Sequence, residues 1–107
     1  MGSSNRLAAH FDMRAQHREI LAAARSGPLQ SLTEREVDLR HQPLTTYPQP
    51  YQRVRAWVRF GPRAIRVDAK LARSTPMAAG IEFRAEETTF RCWVWGNAIT
   101  LDPEAFP

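Results

Sequence analysis

The sequence predicts an α+β chain, with a helical front followed by a strongly bent antiparallel sheet of four to five strands. Three observations predict it. Between about Tyr51 and Leu101, apolar residues recur at every second position in four successive runs, the period of strands with one buried face. The connections between those runs are short, and short connections join antiparallel neighbours into a meander. The segment before them is dominated by Ala and other good helix formers and closes on Gly27-Pro28.

The first element is a helix from about Asn5 to Arg25, with Ser3 or Ser4 placed to cap its start. Its apolar residues fall on two arcs, Leu7, Phe11 and Leu21 on one and Met13, Ile20 and Ala24 on the other. A helix apolar on two sides is expected to touch two things, its own sheet and a partner chain. His10, Arg14 and His17 share a stripe through their spacings of four and seven. An Arg between the two histidines repels a cation, so the stripe reads as a solvated cationic face. A phosphate or RNA contact is the functional alternative to that reading.

A second, short helix is expected from Glu34 to about His41. Thr33 and Glu36 have the spacing of a capping box, and Leu32 and Val37 that of a hydrophobic staple. Val37 and Leu39 also alternate with charges, which leaves a strand as the alternative. The phrase from Leu32 to Leu39 resembles the opening of a LuxR-type helix-turn-helix domain. The resemblance ends where Pro43, Pro48 and Pro50 occupy the stretch that would hold the turn and the recognition helix.

Residues 43–50 (PLTTYPQP) form a stiff extended connector, because three prolines deny both a helix and a central strand. They divide a single domain, residues 1–107, into a helical part (1–42) and a β part (51–101). In the first strand of the β part, Val54, Ala56, Val58 and Phe60 face inward. Ile65, Val67, Ala69 and Leu71 do so in the second strand, Ile81, Phe83 and Ala85 in the third, and Phe90, Cys92 and Val94 in the fourth. Gly96-Asn97 bends the chain into a last short run at Ile99 and Leu101. The apolar face must be covered. Either the N-terminal helix packs on it, or the sheet curls into a small SH3-like barrel.

The formal charge of +4 and the pI near 10.2 are compatible with an acidic protein partner or with nucleic acid. Of the 15 basic residues only Lys70 is a lysine. The one cysteine, Cys92, allows no internal disulfide, which fits a reducing compartment. No apolar run approaches the roughly 20 residues of a membrane span. The start of the chain lacks the apolar core of an export signal, so the expected location is the cytoplasm. The sequence carries no phosphate loop, no metal-ligand spacing and no nucleophile–base arrangement, so neither cofactor nor metal is expected.

The candidate site is therefore a surface. Arg53, Arg55, Trp57 and Arg59 alternate outward on the first strand, and Arg91, Trp93 and Trp95 on the fourth. Indoles interleaved with guanidinium groups make protein–protein contacts and also hold single-stranded nucleic acid. The two groups meet if the first and fourth strands come together by closure. The leading expectation is a small interaction module that binds a protein partner or itself. A basic RNA- or DNA-binding protein is the alternative, and a toxin-like ribonuclease comes third.

Overall fold

The computed structural model describes residues 2–101, with side chains from Asp12 onward. Helix α1 spans Gly2–Ala24. It begins earlier than the sequence suggested, so Ser3 and Ser4 lie inside it. Leu7, His10 and Phe11 fall outside the described side chains. Helix α2 is a single turn, Glu34–Val37, and carries the predicted capping box. Thr33 N–H donates to Glu36 Oε1 at 3.0 Å, and Glu36 N–H donates to Thr33 Oγ1 at 3.1 Å. The helix stops short of His41 because Asp38 turns left-handed (φ 60°) and its N–H folds back onto the carbonyls of Glu34 and Arg35. An extended connector follows, with no recognition helix.

Six strands follow: β1 (Thr45–Thr46), β2 (Gln52–Phe60), β3 (Arg63–Ser74), β4 (Ala78–Ala85), β5 (Thr88–Trp95) and β6 (Ile99–Leu101). A 3-10 turn, Gly96–Ala98, carries β5 into β6. All pairings are antiparallel, in the order β5-β4-β3-β2-β6, with β1 on β3 beyond the start of β2. The sheet does not close strand to strand. The proline connector thus contains one minimal strand. Tyr47 N–H still donates to Ala72 O at 3.0 Å before the chain leaves the sheet and rejoins it at Gln52↔Leu71.

β3 has β2 and then β1 along one edge and β4 along the other. It pairs with β2 from Arg63 to Leu71 and with β4 from Lys70 to Ser74, with a bulge between Leu71 and Arg73. A bulge bends a strand and increases its twist. Past Lys70↔Glu82 the two strands diverge, and α1 enters the split. There Asp68 N–H donates to Gln16 Oε1 at 3.1 Å, and Gln16 Nε2 donates to Asp68 Oδ2 at 3.2 Å. Glu86 N–H, in the β4–β5 turn, donates to His17 Nδ1 at 3.1 Å. Two backbone donors that no strand satisfies are therefore met by helix side chains.

The alternation of the inner face is as predicted. Val54, Ala56, Val58 and Phe60 are buried on β2, and Ile65, Val67 and Ala69 on β3. Ile20 and Ala23 of α1 complete this core. Phe60 meets Phe83 and Phe90 edge-on, with centroids 6.3 and 5.4 Å away, while Phe83 and Phe90 stack across the β4–β5 hairpin at 5.2 Å. Such pairs add about 0.5–1.5 kcal/mol each beyond area burial. Gly27 and Gly61 let the end of the helical segment touch the β2–β3 turn. A Cβ on Gly27 would lie 2.7 Å from Gly61 Cα, and one on Gly61 would lie 2.7 Å from Ser26 O.

Candidate aromatic groove

Arg53, Arg55, Trp57 and Arg59 stand on the outer face of β2, as the alternation requires, and all four are exposed. Their cross-strand neighbours on β3 are Lys70, Asp68, Arg66 and Ala64. Five cations and one acid thus share this two-stranded face, with the half-exposed Trp57 (54%) between Arg55, Arg59 and Arg66. Arg55 Nε lies 3.3 Å from Asp68 Oδ1, and Arg59 Nη1 donates to Pro62 O at 3.1 Å.

The β5 residues separate. Trp95 (44%) and Arg91 are exposed, and Arg91 Nε donates to Glu82 Oε2 at 3.2 Å. Trp93 does not belong to an exposed face. It is 8% exposed and packs with Val37 and Ala78, against which Leu32 and Leu39 also lie. The outer face of β4 is stripped to Ala78 and Gly80 there, so the indole can lie flat and be covered by the 32–39 segment. A Cβ on Gly80 would sit 3.4 Å from Trp93 Cζ2. The Leu32/Val37 staple and the small residues at 78–80 were the available signals that something rests on this face.

β2 and β5 do not pair, because β3 and β4 stand between them in the sheet. What joins the free edge of β5 to the end of β2, beyond its pairing with β6, is the strap Leu29–Leu32. On one side Gln30 N–H donates to Arg59 O (2.8 Å) and Gly61 N–H to Pro28 O (3.0 Å), with Leu29 bridging to Phe60. On the other side Leu32 N–H donates to Trp93 O (2.9 Å), and Trp93 N–H donates to Ser31 Oγ (2.8 Å). The strap floors a groove of about 380 Å³ in which Trp57, Trp93 and Trp95 all take part. Leu32, Val58, Val94 and Ala98 give it an apolar lining, and Gln30, Glu36, Arg59 and Asn97 a polar one. The three tryptophans share this groove because the strap bridges β2 and β5, not because a barrel closes.

Arg91 falls outside this groove. It borders a second, more polar cleft of about 400 Å³ with Arg73, Glu82, Tyr51 and Gln49. The Cys92 thiol is buried, and that burial pushes its pKa up to about 11, away from any nucleophilic role at neutral pH. In the helix stripe, Arg14 is exposed and His17 is half-buried on its bond to Glu86. Among the described residues, no group of three His, Cys, Asp or Glu side chains is placed to hold a metal ion. No helix among them is long and apolar enough to cross a membrane. Compared with protein-family models, with curated proteins and with solved structures, the chain finds no match.

Proposed function

We propose that this chain is a non-enzymatic binding module whose tryptophan groove, with the arginine face beside it, holds a segment of a partner protein. The observation that carries this is that Trp57 and Trp95, two half-exposed indoles, line one groove together with apolar residues. The strand order and the turn that carries β5 into β6 support a finer reading of the fold as an SH3-like barrel, with the strap in place of a closing strand. A photo-reactive residue at Ala64, an exposed position lining the groove, compared in the native cell with one at exposed Arg14, tests the proposal. A discrete crosslinked species from position 64 that disappears with Trp57→Ala is the expected result. Equal crosslinking from both positions, or none from the groove, would overturn it.

Single-stranded nucleic acid is the second reading, favoured by the ring of Arg55, Arg59 and Arg66 around Trp57. It predicts oligonucleotide quenching of tryptophan fluorescence that high salt reverses. Quenching that persists in salt, or no quenching at low salt, counts against it.

A further inference from the structure

The groove and the arginine face form one continuous footprint, and we infer that its occupant is an extended acidic segment of a partner polypeptide with a single apolar anchor. The inference rests on the protein-binding reading above.

The footprint follows from the register. At the groove, Arg59 stands opposite Ala64, whose small side chain leaves the groove open beside Trp57. From Trp57 the outer face continues through the pairs Trp57–Arg66, Arg55–Asp68 and Arg53–Lys70. Four residues of strand span about 13 Å, the reach of about four extended residues of a partner. An apolar side chain seated between Trp57 and Trp95 would therefore lay the neighbouring residues of its chain along these pairs. Asp68 is answered by Arg55 at 3.3 Å, so the face remains positive through Arg59, Arg66 and Lys70. Carboxylates of the segment match the cationic groups of Arg59 on β2 and of Arg66 and Lys70 on β3.

Two observations favour a polypeptide over a phosphodiester chain. The lining of Leu32, Val58, Val94 and Ala98 suits an aliphatic or aromatic side chain entering end-on, whereas stacked bases need only the exposed indole faces. Asn97 offers an amide donor and an amide acceptor, the pair a peptide backbone uses, and Gln30 adds its Oε1 while its Nε2 is held by Gly61 O at 3.1 Å.

Fluorescence anisotropy with synthetic probes tests the inference. The first probe is a labelled peptide of Asp, Glu and Ser around one central Leu. The others replace its acids by Lys, its acids by Ser, or its Leu by Ser, and polyuridylate is added as a competitor. The expected result is binding of the first peptide only. It should weaken about tenfold or more with Trp57→Ala, and about tenfold with the exposed double charge reversal Arg66→Glu/Lys70→Glu, which should in turn take up the Lys peptide. Circular dichroism establishes that each variant is folded. Equal binding of the uncharged Leu peptide, unmoved by the charge reversal, would overturn the acidic class and leave the groove standing. Binding of polyuridylate alone would replace the polypeptide with nucleic acid. No binding of any probe, with a mass that grows with concentration and returns to monomer in Trp57→Ala, would make the occupant a second copy of this chain. Binding that neither Trp57→Ala nor Trp95→Ala affects would overturn both the inference and the reading beneath it.

Discussion

The guanidinium of Arg73 lies 5.0 Å from the centroid of the Trp93 indole, although the two residues stand on strands separated by β4. Arg73 is paired with Gly80, and Gly80 with Trp93, so one residue without a side chain lets a cation on β3 reach an aromatic ring on β5. The two ends of this contact are unequal. Arg73 is exposed, so Arg73→Ala should cost only about 0.5–1 kcal/mol. Trp93 is buried beneath the 32–39 segment, so Trp93→Ala should cost about 3–5 kcal/mol. Urea unfolding of the two variants measures the difference, and equal losses would mean that the indole is held by the cation more than by its cover.

Trp57 should behave oppositely to Trp93. It is half-exposed on a sheet face, so Trp57→Ala should change stability by no more than about 0.5 kcal/mol. Acrylamide quenching of single-tryptophan variants gives an independent check. The variant that keeps Trp57 should be quenched strongly, and the one that keeps Trp93 weakly.

Gln16 accepts from a backbone donor at the split in the sheet, and His17 from one in the β4–β5 turn. Gln16→Ala and His17→Ala should each cost about 1 kcal/mol, the usual net value of a hydrogen bond. Hydrogen exchange should accelerate at Asp68 N–H in the first variant and at Glu86 N–H in the second. Uniform acceleration across the sheet would instead mean that α1 leaves as a unit.

Cys92 makes stability depend on alkaline pH. Its thiol has a folded pKa of about 11 against 9.0 for the free group, so the neutral form is favoured in the fold. The stabilisation is complete below pH 9 and is lost as pH rises toward 11, where the unfolded chain releases a proton that the folded one keeps. Unfolding free energy should fall across that window with a slope of up to about 1.4 kcal/mol per pH unit. In Cys92→Ala this part of the slope should vanish. Thiol-specific reagents at neutral pH should label the folded protein only at the rate at which it opens.

The meander was legible because each strand carries its own period, and Val54 to Phe60 bury alternate residues as written. Trp57 and Trp95 were legible for the same reason. The burial of Trp93 was not, because alternation assigns a side to a residue without saying what lies on that side. The cover comes from Leu32 and Val37, some sixty residues earlier, and is fixed by hydrogen bonds between Trp93 and the strap. The role of His17 was hidden similarly. Arg14 beside it describes a solvated stripe, and only the packing of α1 beside the β4–β5 turn brings the Glu86 N–H to its ring. The second helix was read too long because its start signal is strong, whereas the left-handed Asp38 that ends it is not a glycine.

The strap also guards against misassembly. β2 and β5 would each present bare backbone at the seam, and a bare strand edge is a template for a neighbouring molecule. Leu29–Leu32 covers backbone at Arg59 of β2 and at Trp93 of β5 together, so the segment that shapes the groove also shortens the edge open to a neighbouring molecule. Loss of the first forty residues should therefore appear as aggregation of the remaining strands, seen by light scattering, more than as simple unfolding.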